Sequence, residues 1–305
     1  MIGKMLKVMI ISFSAIVIVF TLLYALAPYL IKYGMDGGDI RANPGKYEGL
    51  DALPENGRIL FVTAHPDDLE FMAGGTLPKL IERNNDVYMA ILTDGGKQRY
   101  MPGFYSRLIV KTRHEEQLAT AEIQGLKEVF FINYPDGSLK FSEPAVGKVK
   151  QVADEVKATH IFTFEPAKRE NNNGLGQDEV HQVGAGNGDG PKVRPSMSGD
   201  HDAAGQIGTA VAKRNASVEG LYYFRAENPD IIIDISDTFD KKLDILLMFT
   251  EFKYKKRMIR AFHEAWDSSN GRRIGVGYAE VFRRIDLRTR PVEPVEVGFT
   301  GERTN

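Results

Sequence analysis

Directly after the apolar run Ile59-Leu60-Phe61-Val62-Thr63, the chain reads Ala64-His65-Pro66-Asp67-Asp68. An imidazole and two adjacent carboxylates therefore fall where a strand ends and a helix begins, the crevice in which open α/β sheets bind ligands. His65 and Asp68 can grip one divalent ion while Asp67 stays free to move protons, the equipment of a metal-dependent hydrolase. Further polar groups gather at later strand ends: Thr93-Asp94-Gly95-Gly96, Tyr134-Pro135-Asp136-Gly137 and, after a long loop, Ser198-Gly199-Asp200-His201-Asp202. Singly, each has a plainer reading. Asp67 or Asp68 can cap the helix starting near Leu69, Asp-Gly pairs make turns, and a lone histidine is more often exposed or satisfied. A cap, however, needs one carboxylate and no imidazole. Only the set as a whole favours a metal site.

The elements that must position these groups follow from periodicity. Apolar, β-branched or aromatic runs at 58–63, 87–93, 129–134 and 160–164 alternate with helical spacing at 75–84, 107–126 and 143–158. Strands alternating with helices imply right-handed βαβ units, so the expected fold is α/β: a Rossmann-like, mostly parallel sheet with helices on both faces. Runs at 221–224 and 231–235 are expected as further strands, 237–260 as one long helix and 278–287 as a closing strand. The segment 167–197 is dominated by Asn, Gly, Asp and Pro and reads as a long surface loop within a domain spanning 58–290.

Composition excludes several classes. A net charge of −2 offers no field to recruit nucleic acid, and the absence of cysteine rules out disulfides and thiolate ligands. A nucleotide-binding Gly-x-Gly-x-x-Gly turn is missing after the first strand, where carboxylates would repel a pyrophosphate. After a short basic stretch at 1–7, residues 8–31 are uncharged and long enough, at about 1.5 Å per residue, to cross a hydrocarbon core. A cleavable signal is the rival, since Ala25-Leu26-Ala27 resembles a cleavage box. Pro28 and the length of the stretch favour an uncleaved single-pass anchor, with the flanking lysines placing the domain outside the cytoplasm. Residues 32–57 then read as a linker and 291–305 as a tail.

The motifs together resemble the LmbE/PIG-L superfamily of zinc-dependent de-N-acetylases, which act mainly on N-acetylglucosamine-containing molecules. The resemblance is carried by Ala64-His65-Pro66-Asp67-Asp68-Leu69-Glu70 with Gly74-Gly75-Thr76, by Thr93-Asp94-Gly95-Gly96, and by Thr112-Arg113 with Glu116. Tyr134-Pro135-Asp136-Gly137, Gly199-Asp200-His201 and Ile232-Ile233-Asp234-Ile235 leading into Lys241-Lys242 complete it. It implies that His65, Asp68 and His201 hold Zn2+, that Asp67 is the general base, and that Arg113 and Asp136 contact the sugar. One position departs from the pattern: Ser198 stands where the family usually has the first histidine of His-x-Asp-His. That histidine is taken to steady the oxyanion or protonate the leaving nitrogen, and serine cannot serve as an acid near neutrality. Asp67 then performs both proton transfers, or another group such as His181 in the long loop substitutes; Asp200 is an accessory candidate beside it. The implied substrate is an N-acetylated sugar or glycolipid. A membrane-tethered sugar-binding domain with weak or lost catalysis, and an amidase acting on a non-sugar substrate, are the alternatives.

Overall fold

The computed structural model describes residues 19, 22, 25–31, 43–97, 107–167, 199–226 and 228–289. Seven strands form one sheet: β1 Arg58–Thr63, β2 Asp86–Thr93, β3 Glu128–Tyr134, β4 His160–Phe164, β5 Gly220–Phe224, β6 Ile231–Asp234 and β7 Ala279–Asp286. The helices are α1 Asp68–Ala73, α2 Thr76–Glu82, α3 Arg107–Gln124, α4 Glu143–Glu155, α5 Gly199–Arg214, α6 Phe239–Leu246, α7 Thr250–Lys253 and α8 Lys256–Arg272.

The strand order is β3-β2-β1-β4-β5-β7-β6. The first five strands in that order pair in parallel, and β7 runs antiparallel to both β5 and β6. In β1, Ile59 to Val62 are all fully buried, as in a strand covered on both faces. The chain winds outward from β1 through β2 to β3, then returns to the other side of β1 for β4. That reversal opens a crevice at the carboxyl ends of β1 and β4, and both histidine-bearing segments lead out of it.

Two expectations are corrected. The helix expected over 237–260 is broken into α6, α7 and the start of α8. Phe249 is extended (φ −72°, ψ 125°), which buries its ring with Leu246 and Phe252, and Glu116 Oε1 accepts bonds from Thr250 N (2.9 Å) and Oγ1 (2.5 Å). The linker expected over 32–57 is packed on the domain in its described part, 43–57. Ala52 and Leu53 are buried, and Glu48 bridges in parallel to Ile231 at the outer edge of the sheet. Hydropathy alone hides this, because backbone bonds such as Ile232 N to Glu48 O (2.9 Å) do the fastening.

Of the anchor expected over 8–31, Val19, Leu22 and 25–31 are helical and the rest lies outside the described residues. No helix among the described residues is long and apolar enough to cross a membrane. Most of the loop 167–197, residue 290 and the tail 291–305, His181 and Ser198 also lie outside them.

Candidate metal centre

The turn after β1 folds the Asp68 carboxylate back onto its own backbone. Oδ2 accepts from Ala64 N (2.9 Å) and His65 N (2.8 Å), which leaves Oδ1 facing His201 Nε2 at 3.0 Å. His65 Nδ1 lies 3.2 Å from His201 Nε2 and 3.7 Å from Asp68 Oδ2. Three donor atoms from positions as much as 136 residues apart thus converge on one point. His201 gets there because α5 lies unusually close to β4: a Cβ on Gly205 would sit 2.5 Å from Phe164 O, and one on Gly208 2.8 Å from Thr163 Oγ1.

The other nitrogen of His65 faces acid. Nε2 lies 3.2 Å from Asp136 Oδ1 and 3.3 Å from Asp200 Oδ2. Asp200 is itself fixed, accepting from Gly137 N (2.6 Å) and Leu139 N (3.0 Å), while Asp136 Oδ2 accepts from Lys97 N (2.9 Å). Asp94 accepts from Asp136 N (3.1 Å) and Gly96 N (3.0 Å), so it shapes the two turns and contributes no ligand atom to the cluster.

These donors fit a metal. Carboxylates on Nε2 hold the proton there and turn the Nδ1 lone pair toward His201 and Asp68, the carboxylate–histidine bracing common at metal centres. Two imidazoles and one carboxylate form a three-ligand set that leaves further coordination open, as catalytic zinc requires. Burial works to lower the pKa of His65, but Asp136, Asp200 and Asp68 outweigh it and push it up to about 10. Burial likewise works to raise Asp68, yet His201 and His65 prevail and bring it down to about 2. The pocket's acids thus hold positive charge strongly, which is what a dication exploits.

Asp67 is built differently. Its backbone is left-handed (φ 89°), and although it occupies the cap position of α1, its side chain makes no cap bond. Asp67 N donates to Gln117 Oε1 (2.8 Å), and Arg113 donates to its Oδ2 (2.8 Å), to Glu251 (2.7 Å) and to Pro66 O (2.6 Å). Gly95, at φ +64°, leaves room for that arginine, since a Cβ there would lie 2.9 Å from Arg113 Nε. Burial pushes the Asp67 carboxyl well above its ordinary value; Arg113 opposes this, and Glu251 and Asp68 add to it.

His65, Asp67, Asp68, Arg113, Asp136 and His201 therefore line a single pocket of about 370 Å³, with Asp200 behind it. Arg113 meets Asp67 directly, an arrangement that the sugar-contacting role implied by the resemblance does not include. Sequence reasoning missed Gln117 and Glu251, and also the aromatic side of the pocket, Phe71, Phe252, Phe262 and Trp266. No local motif marks them; only the fold brings them to this edge. His114 stacks on Phe131 and His160 opens β4, while His263 is buried against Asp267 (3.2 Å).

The PIG-L description, GlcNAc-PI de-N-acetylase, matches residues 60–182. A probable N-acetyl-alpha-D-glucosaminyl L-malate deacetylase 2 from Bacillus cereus is 28% identical over 196 residues, 62% of this chain and 80% of that protein. A diacetylchitobiose deacetylase from Thermococcus kodakarensis is 23% identical over 193 residues, 61% of this chain and 66% of that one. The solved N,N'-diacetylchitobiose deacetylase from Pyrococcus horikoshii shares the fold, with a TM-score of 0.60 at 18% identity, covering 81% of this chain and 92% of that one. So does GalB, a 4-carboxy-2-hydroxymuconate hydratase, with a TM-score of 0.57 at 17% identity and coverage of 77% and 98%; the fold alone does not name the reaction. The His65-Pro66-Asp67-Asp68 turn lies inside the matched segment, so what the fold leaves open is narrowed by a PIG-L (LmbE-like) domain match over residues 60–182.

Proposed function

We propose that this protein is a zinc-dependent hydrolase that removes the acetyl group from an N-acetylated sugar, an N-acetylglucosamine-type glycoside or glycolipid. The observation that carries the reading is the three-donor cluster of His65, Asp68 and His201 with a fourth acid, Asp67, left out of it. When bound, zinc supplies a Lewis acid that acidifies water and polarises the acyl oxygen. Asp67 takes the proton from the attacking water as the oxygen–carbon bond forms. Its raised pKa lets the carboxyl hold that proton and then deliver it to the sugar nitrogen as the carbon–nitrogen bond breaks, releasing acetate and a free amine. Arg113 fixes the orientation of the carboxyl throughout. With Ser198 in place of the family histidine, Asp67 carries both transfers. Asp136 lies beside the cluster, where a sugar hydroxyl can reach it. The glycolipid form of the substrate, and an anchored domain outside the cytoplasm, rest on the apolar stretch at 8–31 alone.

The test is acetate release from a panel of N-acetylated glycosides by the zinc-loaded protein, alongside Asp67→Asn. The variant is expected to keep its metal by elemental analysis while turnover falls by about 10²–10⁴-fold. Wild-type protein that binds zinc yet frees no acetate from any glycoside would overturn the proposal.

A further inference from the structure

Among the described residues, one half-buried cation on the pocket wall has no protein counterpart. Arg225 follows β5 directly and reaches the wall of the cavity that holds His65, Asp68 and His201. Among the described residues, no carboxylate pairs with its guanidinium and no acceptor takes a hydrogen bond from it. Other arginines here are engaged: Arg113 by Asp67 and Glu251, Arg283 by Glu165, and Arg284 by Glu48. The side chain is half-buried, and burial works to lower its pKa, with the charge of Asp68 opposing. Its backbone is left-handed (φ 56°), a conformation uncommon for a residue that carries a Cβ. An unpaired cation partly shielded from water on a left-handed backbone costs stability, and such costs concentrate at functional sites.

We propose that Arg225 is a specificity-determining residue that selects N-acetylated sugars bearing an anionic substituent, a phosphate or a carboxylate. The inference rests on the deacetylase reading and adds the substrate class to it. A guanidinium presents a planar fork of donors that matches the oxygens of either anion. Nearby, Phe252, Phe262 and Trp266 offer flat apolar faces for the ring or its aglycone, so the pocket is equipped for a ligand with one charged end and one apolar face.

Trp266 is the only tryptophan in the chain and lines this cavity, so its fluorescence reports binding without turnover. The full-length protein is titrated with N-acetylglucosamine 1-phosphate, with N-acetylmuramic acid and with the neutral methyl N-acetylglucosaminide. At least one anionic sugar is expected to bind about tenfold more tightly than the neutral one, the phosphate and carboxylate arms telling which anion is preferred. Arg225→Gln is expected to erase that advantage while leaving the neutral glycoside within about twofold, and Arg225→Lys to restore part of it. In steady-state assays the loss appears in KM for the anionic substrate. Equal affinities in the wild type, an advantage that survives Arg225→Gln, or an equal fall in turnover of neutral and anionic sugars would each overturn the inference. Acetate release without anion preference defeats this inference alone; anion preference without acetate release defeats the deacetylase reading and leaves Arg225 as an anion site.

Discussion

At the scale of single residues, the two nitrogens of His65 divide the labour: Nδ1 faces His201 and Asp68, and Nε2 faces Asp136 and Asp200. Asp200 holds the imidazole through Nε2 and, through Gly137 N and Leu139 N, also holds the loop that carries Asp136. Asp200→Asn is therefore expected to weaken zinc binding by about 10- to 100-fold, measured by competition with a chromogenic chelator. An unchanged affinity would reduce Asp200 to a loop brace. The His65-Pro66-Asp67-Asp68 turn is legible in the sequence because one short stretch supplies an imidazole and two carboxylates at a strand end. Gln117, Glu251 and Arg225 are not legible. Each arrives alone from a different element, and an isolated Gln, Glu or Arg on a helix or strand end is indistinguishable from solvent-facing polarity.

At the scale of elements, the centre depends on how tightly α5 lies on β4. Gly205 and Gly208 let the helix approach so closely that a methyl group at Gly205 would press on Phe164 O. Gly205→Ala is expected to cost about 1–3 kcal/mol of stability and to weaken metal binding in parallel, since lifting the helix withdraws His201. Urea unfolding and chelator competition on the same variant check both; a stability loss with unchanged affinity would break the link. On the far side of the pocket, Lys242 on α6 is buried between Asp267 of α8 (2.9 Å) and Glu280 of β7 (2.8 Å). Glu280 also accepts from Gly75 N (3.0 Å) and Thr76 N (2.8 Å) at the start of α2. Strand positions were readable from apolar runs to within a residue. The break of the long helix at Phe249 was not, because Leu246, Phe249 and Phe252 keep an apolar spacing compatible with a continuous helix while their burial and the bonds from Thr250 to Glu116 dictate otherwise.

At the scale of the whole molecule, the strand order places the reversal point between β1 and β4, so the centre cannot form until distant parts of the chain share one sheet. Alternation of strand and helix made the parallel half foreseeable; the antiparallel insertion of β7 between β5 and β6 was not, since a closing strand's partners are fixed by packing and not by its own pattern. Acid sensitivity also belongs here. Burial, helped by the charge of Lys242, brings His263 down to about 4 from an ordinary value of 6.5. Between these two pH values the unfolded chain holds a proton that the folded one refuses. This contribution is fully present above about pH 6.5, falls by at most about 1.4 kcal/mol per pH unit on acidification, and levels off below about pH 4. Urea midpoints of wild type and His263→Gln should therefore converge as pH drops from 7 to 4.5; parallel curves would contradict it. Asp67 carries a burden of another kind. The position combines a left-handed backbone with a carboxylate that competes with Glu251 for one arginine. Replacement by glycine or asparagine would relax the main chain and leave Arg113 and Glu251 as a neutral couple. Such a variant is expected to outlast the wild type on heating, so selection for robustness alone would remove the carboxyl that the proposed reaction needs.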